Sequence, residues 1–279
     1  MKIAQRMKNA MLLGCGLLSC ACAPAPEIRN SRQIQAIEFN QHARAAYLGG
    51  DYQTSVEDYL KALQIDRSIE NENGIAINLI GLSSAHQAIG QYPKAMQDLD
   101  QILQDKTLKF DSRYLSAAAL KKSLLILHGN DVDGALDWAE KSEGYCNGCS
   151  MDGAILNLRA EIALRMNDPD TALDLAGKSR SNSKAEQANS ARLMARARTL
   201  KRQYDLTLPL LEQALALDKS LGFPKRIRLD LVLLSDAYAK LGRQDLAKKY
   251  RIRSTHILSG TAYPDLKPEP IENAMGETK

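Results

Sequence analysis

One pattern recurs six times along this 279-residue chain and limits its fold more than any other feature. An apolar stretch, a short turn and an amphipathic segment follow one another, first at 47–66 (YLGGDYQTSVEDYLKALQID) and again at 87–105 (QAIGQYPKAMQDLDQILQD). Similar turns occur at 127–142, 165–179, 200–218 and 240–254. Because one such unit cannot bury its apolar face alone, neighbouring units must stack around a continuous core. We therefore expect one domain rather than several.

Alignment of the six turns gives two columns of small residues. The first column lies just after each turn and comprises Ser55, Ala95, Ala135, Ala172, Thr207 and Ala247. The second lies twelve residues earlier and comprises Ala43, Ser83, Ser123, Ala160, Ala195 and Ser235. Small side chains in both columns allow two antiparallel helices to approach closely. The columns therefore predict six helical hairpins.

The hairpins predict twelve helices and an all-α fold class. The expected helices span about 33–48, 52–66, 70–89, 92–105, 112–128, 132–143, 151–166, 169–179, 183–201, 204–218, 224–241 and 244–258. Aromatic residues make up only 5% of the chain, and Leu and Ala dominate the apolar positions, which suits the burial of helix against helix. No long alternating Val/Ile/Thr run indicates a strand.

The repeat resembles the tetratricopeptide repeat (TPR) family over about residues 33–258. The resemblance rests on the two small columns and on Gly50-Asp51-Tyr52, Gly90-Gln91-Tyr92, Tyr59, Leu99 and Leu211. The chain departs from the family where helix A has Ala or Ser instead of Gly, and where Arg67 and Lys219 replace the helix-ending proline. The resemblance implies a right-handed α-α superhelix, or solenoid, of about six hairpins.

In that family, extended peptides or helices bind the concave face formed by the first helix of each hairpin. Transferred by repeat position, this face comprises Asn40, Arg44, Tyr47, Gln87, Asn157, Glu161, Arg192, Arg196 and Asp236. Arg192 and Arg196 lie one helical turn apart in the basic segment 191–203 and could pair with acidic groups of a partner. The alternative is a solvated helix face. The Lys/Asn clamp of the chaperone-binding subgroup is missing, so a C-terminal carboxylate ligand is not predicted.

The first nineteen residues are typical of an export signal, with a basic start followed by an apolar run that is too short to span a bilayer. Leu17-Leu18-Ser19-Cys20 resembles the lipobox of bacterial lipoproteins, which implies cleavage before Cys20 and attachment of acyl chains to it. Cys15 and Cys22 fit this motif less well, and a plain signal peptide is the alternative. Residues 20–32 then form the lipidated N-terminus and tether, and Ala21 fits sorting to the outer membrane.

Cleavage removes Lys2, Arg6 and Lys8 and lowers the formal net charge from +4 to +1. The remaining balance gives no argument for a nucleic-acid partner. The C-terminal segment 259–279 contains three prolines and no apolar period, so we expect it to be disordered.

Cys146 and Cys149 form a CxxC between the third and fourth hairpins. In an oxidising exported compartment, this spacing favours a disulfide that closes a short loop. Haem attachment and a zinc site are not supported, because Ser150 follows the second cysteine and no second ligand pair is nearby. The four histidines are scattered, and no catalytic motif is present, so we predict neither a cofactor nor a metal, and no enzyme.

The sequence thus predicts a lipid-anchored TPR protein of the bacterial cell envelope, facing the periplasm. It would act as a protein–protein interaction scaffold or assembly factor, as a monomer or weak dimer. The alternative is a redox-active or thiol-dependent envelope factor that uses the Cys146–Cys149 pair.

Overall fold

The computed structural model describes residues 30–146, 149 and 151–259, with side chains to residue 257. Within these residues it contains twelve α-helices and no strand, which confirms the predicted all-α fold of helical hairpins. The predicted signal peptide, Cys20, most of the tether and the tail after Ser259 lie outside the described residues. The helices are α1 Ser31–Gly49, α2 Tyr52–Ser68, α3 Glu72–Ala88, α4 Tyr92–Leu103, α5 Ser112–His128, α6 Val132–Tyr145, α7 Asp152–Arg165, α8 Pro169–Lys178, α9 Lys184–Leu200, α10 Tyr204–Leu221, α11 Pro224–Lys240 and α12 Gln244–Ser259.

The helices pair into six hairpins, numbered 1 to 6 from α1/α2 to α11/α12, and the turn inside each hairpin has the same backbone geometry. One residue per turn adopts the left-handed conformation, namely Gly50, Gly90, Asn130, Asn167, Arg202 and Gly242. The next N–H donates to a carbonyl five residues earlier, as Asp51 N–H does to Ala46 O at 2.9 Å. This hydrogen bond ends the first helix. In three hairpins an aspartate then caps the second helix, as Asp51 does by accepting from Thr54 N.

Both columns of small residues are buried, and they face each other across each hairpin. All twelve residues of these columns are at most 6% exposed. Ser123 Oγ donates to Ala135 O at 2.5 Å, and Ser235 Oγ donates to Ala247 O at 2.9 Å. Each hydrogen bond joins a residue of one column to the residue of the other column twelve positions later. The small side chains therefore allow the two backbones to approach closely, as the sequence predicts.

Successive hairpins stack so that each helix packs mainly on its neighbours in sequence. Additional contacts join the first helices of adjacent hairpins, such as α1 with α3 and α7 with α9. Buried clusters of Leu, Ile and Ala follow the stack from one end to the other. Within the described part of the chain, no helix is both long enough and apolar enough to cross a bilayer.

The two ends of the stack expose polar side chains where inner hairpins bury apolar ones. On α1, Glu38 is exposed at the position that the buried Ala118 and Ile155 hold in hairpins 3 and 4. On α12, Lys248 lies at the position of Val56, and Arg251 at that of Tyr59. Polar outer faces are what terminal repeats of a solenoid require.

Candidate partner-binding surface

The inner face of the stack is formed by α1, α3, α5, α7, α9 and α11, and three of the predicted binding residues are accessible there. Arg44 on α1 is exposed, whereas Tyr47 on α1 and Gln87 on α3 are half-buried. The Tyr47 ring lies 5.4 Å from the Tyr52 ring, and burial raises the pKa of its phenol. The Lys225 charge on α11 partly opposes that shift.

Three further predicted residues are accessible but form ion pairs within the chain. Glu161 on α7 accepts from Arg165 on the same helix and pairs with Arg196 on α9. Asp236 on α11 accepts from Arg251 on α12 at 2.7 Å. Because such exposed pairs contribute little stability, a charged partner could replace them at small cost.

Asn157 and Arg192 are buried and serve the fold instead of an open surface. Asn157 is 1% exposed, donates to Glu186 Oε2 at 2.8 Å and accepts from Ser190 Oγ at 2.7 Å. Arg192 is 6% exposed and lies between two carboxylates. Both side chains thus already hydrogen-bond to groups of other helices.

Arg192 belongs to a buried triad with Asp218 and Asp230 that joins hairpins 5 and 6. Its Nε donates to Asp230 Oδ1 at 2.7 Å, and its Nη2 donates to Asp218 Oδ2. Burial is the largest influence on Asp230, and with the nearby Asp218 carboxylate it raises the pKa of Asp230 to about 6. Asp218 Oδ1 has no hydrogen-bond partner among the described residues. A proton on Asp230 would supply one.

Asn40 belongs to an equivalent triad between hairpins 1 and 2. Its Nδ2 donates to Asn78 Oδ1 at 2.6 Å, and Asn78 Nδ2 donates to Asp66 Oδ2 at 2.7 Å. Asn71 Nδ2 donates to the other oxygen of Asp66 at 2.7 Å. Burial raises the pKa of Asp66, and these two amide donors offset part of the shift.

The Asn40 triad forms the floor of an open cleft between α1 and α3 on the inner face. The cleft has a volume of about 230 Å³ and is lined by Gln33, Ala36, Ile37, Asn40, Asp66, Asn71, Asn73, Gly74, Ile77 and Asn78. Gly74 is required beside the floor, because a Cβ there would collide with the Asp66 carboxylate. Ile77 is 43% exposed and gives the cleft an apolar wall. Aliphatic walls and amides that can donate and accept suit a segment of polypeptide.

Cys146 and Cys149 lie at the end of α6, away from the residues that line this cleft. Their sulfur atoms are joined in a disulfide, and Cys146 is 6% exposed. The Cys146 Sγ lies 3.1 Å from Asp152 Oδ1 at the start of α7. In the bonded form, neither sulfur is a thiolate, which is the form that ligates metals or acts as a nucleophile.

Sequence reasoning missed the separation of charge between the two parts of the described chain. Residues 184–259 contain 16 Lys and Arg against 7 Asp and Glu, whereas residues 30–183 contain 15 against 21. The near-neutral total conceals this difference. A charge count for each hairpin would have revealed it.

Solved structures of other proteins share the fold of this chain, although its sequence resembles none of them closely. No protein-family model and no curated protein matches the sequence. Solved structures with a similar fold include apo RapI, which is 14% identical, with a TM-score of 0.61 over 82% of this chain and 65% of RapI. BtubC from P. vanneervenii is 15% identical, with a TM-score of 0.57 over 90% and 100% of the two chains. Pseudomonas aeruginosa pilF is 14% identical, with a TM-score of 0.56 over 83% and 96%.

The chain has the fold of a TPR solenoid. At these identities the likeness concerns the fold alone. The predicted helical-hairpin solenoid is therefore confirmed, whereas the lipid anchor, the location in the cell and the binding residues stay predictions.

Proposed function

We propose that this TPR solenoid is a protein–protein interaction scaffold that holds a segment of a partner against its inner face. The cleft between α1 and α3 is the main support for the proposal. It is open, it has an aliphatic wall, and its side-chain amides are held in place by hydrogen bonds such as that from Asn40 to Asn78. Arg44, Tyr47 and Gln87 extend the surface along the same face. The solenoid fold supports this role, since stacked hairpins create extended binding surfaces.

The lining of the cleft favours binding over catalysis. Asp66 is the only ionisable side chain among its ten lining residues, and both Asp66 oxygens are already hydrogen-bonded to amides. The buried His86–Asp98 pair, with a separation of 2.7 Å, lies between α3 and α4. It is not among the residues that line the cleft.

Site-specific photocrosslinking in the intact cell tests the binding surface. A crosslinking residue at Ile77 is expected to trap a discrete partner, and Asn78→Ala in the same chain should reduce that product. Exposed Gln97 on α4 provides the matched control, because it lies on a second helix, outside the cleft. Equal products from both positions, or no effect of Asn78→Ala, would contradict the proposed site.

We also propose that the scaffold is tethered to the bacterial envelope, in the outer membrane, through acyl chains on Cys20. The lipobox-like Leu17-Leu18-Ser19-Cys20 supports this proposal, and two or more acyl chains hold a protein stably in a bilayer. Metabolic labelling with a palmitate analogue should mark the wild type and Cys22→Ser but not Cys20→Ser. Label in Cys20→Ser would show that the anchor has been placed wrongly.

The body of the scaffold is expected to be a monomer or weak dimer. The exposed Glu38 of α1 and the exposed Lys248 of α12 place charges at the two ends of the stack, which disfavours stacking of one copy on another. Sedimentation of residues 30–259 should give the mass of one chain at micromolar concentration. A concentration-independent dimer would be the contrary result.

A further inference from the structure

Most basic residues of hairpins 5 and 6 form no ion pair with a carboxylate of the described residues. Among the 16 Lys and Arg of residues 184–259, ion pairs with described carboxylates involve four, namely Arg192, Arg196, Lys201 and Arg251. Two of the seven acidic residues, Asp218 and Asp230, are buried with Arg192. The surface of these hairpins is therefore more positive than the residue count suggests.

Several of these cations are gathered on the outer side of hairpin 6, where a seventh hairpin would stack. We define the hairpin-6 end face as Lys225, Arg228, Leu229, Lys248, Arg251 and Ile252. Arg228 holds the position at which the five preceding hairpins bury a small residue, namely Ala36, Ala76, Ser116, Gly153 and Ala188. Lys248 holds the position at which they pack an apolar side chain, namely Val56, Met96, Leu136, Leu173 and Leu208.

The opposite end of the stack balances its cations with carboxylates. The outer side of hairpin 1 exposes Arg32 and Lys61, but Glu38 and Asp58 line the same surface. Lys61 donates to Asp58 at 2.8 Å. A polar end of a solenoid can therefore be close to neutral, and the excess of Lys and Arg at the hairpin-6 end needs a reason beyond solubility.

Two aliphatic side chains protrude among the cations of the hairpin-6 end face. Leu229 is 45% exposed beside Arg228, and Ile252 is 36% exposed beside Arg251. The face is formed by α11 and α12, which pack side by side and are each about 25 Å long at 1.5 Å per residue. The side of this antiparallel helix pair thus presents cations with aliphatic groups between them. Such a surface is complementary to a broad anionic surface that has an apolar layer beneath it.

We propose that the hairpin-6 end face binds the surface of an anionic phospholipid bilayer. Lys225, Arg228 and Lys248 contact the headgroup phosphates, and Leu229 and Ile252 enter the boundary with the acyl chains. Basic side chains near an anionic leaflet contribute additively to binding, and buried aliphatic area adds to this. The proposal goes beyond the tether at Cys20 and does not depend on it.

Vesicle co-sedimentation of residues 21–279, which lack both the predicted signal segment and the acylation site Cys20, tests the proposal. Vesicles of phosphatidylcholine with 30% phosphatidylglycerol are compared with pure phosphatidylcholine. Each Lys or Arg near the surface is worth about fivefold in binding. The triple variant Lys225→Gln, Arg228→Gln, Lys248→Gln should therefore bind the anionic vesicles about 100-fold more weakly.

A matched control removes the same charge elsewhere. Lys94, Lys106 and Lys109 are exposed cations of hairpins 2 and 3, and changing all three to Gln should alter binding less than threefold. Leu229→Ser with Ile252→Ser should weaken the binding that persists at 0.5 M NaCl. Circular dichroism of every variant confirms that the helices are retained.

Three results would overturn the proposal. The first is equal weakening by both triple variants, which would indicate only a general effect of net charge. The second is equal binding to neutral and anionic vesicles. The third is tighter binding to poly-glutamate or to DNA than to the anionic vesicles at the same salt concentration, which would show that the face serves an acidic polymer.

Discussion

Two buried triads occupy the same place at opposite ends of the solenoid but use different chemistry. Asn40, Asp66 and Asn78 join hairpins 1 and 2, whereas Arg192, Asp218 and Asp230 join hairpins 5 and 6. The separations in sequence are identical, with 26 residues from the first member to the second and 38 to the third. With every aspartate ionised, both triads carry a formal charge of −1.

The difference lies in how that charge is stabilised. At the first triad, neutral amides donate to a single carboxylate and remain reachable from an open cleft. At the second, a guanidinium and two carboxylates are sealed, since Asp218 and Asp230 are 0% exposed. Amides can exchange partners with a ligand at low cost, whereas a buried ion network cannot lose one member. The first junction therefore suits recognition, and the second suits rigidity.

The largest expected effect follows from removing the guanidinium. Arg192→Met leaves two buried carboxylates without their cation, and it should lower the free energy of unfolding by about 3–5 kcal/mol. Urea denaturation followed by circular dichroism measures this loss. Addition of Asp218→Asn and Asp230→Asn should restore most of it.

Arg196→Met is the control on the same helix. Its side chain is 35% exposed and pairs with Glu161, so its loss should cost at most about 1 kcal/mol. Similar losses for Arg192→Met and Arg196→Met would remove the distinction between a sealed and an open junction.

The second effect is a dependence on pH. The pKa of Asp230 in the folded chain is about 6, above its ordinary value of 3.8. Between about pH 4 and pH 6 the folded state holds a proton that the unfolded state has lost, so stability should fall as the pH rises through this window. The fall attributable to Asp230 should be about 1–3 kcal/mol.

The pH effect is isolated by comparison with Asp230→Asn. The difference in unfolding free energy between wild type and variant at pH 4 should shift in the variant's favour by pH 7. A constant difference across this range would mean that Asp230 does not hold a proton in the sealed triad.

A substitution in the triad of Asn40, Asp66 and Asn78 should lower the free energy of unfolding by less than Arg192→Met does. Asn78→Ala removes one donor from Asp66 and the acceptor of Asn40, and it should cost about 1–2 kcal/mol. Asn73→Ala, at an exposed residue of the same cleft, should change stability by no more than about 0.5 kcal/mol. A loss for Asn78→Ala as large as that for Arg192→Met would contradict the proposed contrast between the two junctions.

The smallest effect concerns the turn between α9 and α10 in hairpin 5, outside the sealed triad. Arg202 adopts a φ of 57°, where glycine serves hairpin 6 at Gly242. Arg202→Gly should stabilise the chain by about 0.5–1 kcal/mol, and Gly242→Ala should destabilise it by about 1 kcal/mol. Thermal unfolding of both variants measures the two shifts. If Arg202→Gly lowered the melting temperature, the contacts of the Arg202 side chain would stabilise the fold by more than its left-handed backbone conformation destabilises it.

The fold could be predicted from the sequence because its determinants are local. The turns at Gly50 and Gly90 and the small columns fix where helices end and which faces meet. All twelve helices were predicted, and their ends lie within three residues of the observed ones. Even turns without glycine at the left-handed position, such as those at Asn130 and Arg202, could be placed by alignment with the others.

The candidate surface was less predictable, because a repeat position alone does not determine whether a side chain reaches solvent. Asn40, Asn157 and Arg192 occupy equivalent positions on their helices, three residues before the small column. Each side chain turns towards a polar residue of the next hairpin, namely Asn78, Ser190 and Asp230. Comparison of residues 38 positions apart would have revealed the Asn40–Asn78 and Arg192–Asp230 pairs.

The dependence of each helix on its neighbours in sequence has a mechanical consequence. A chain pulled from its two ends would lengthen in steps, one hairpin at a time, because few contacts bridge distant layers. All hairpins in the series would carry the same force, so the junctions held by the Asn40 and Arg192 triads would be among the last to open. A scaffold built in this way could absorb tension between two attachment points while its weaker layers open and close again.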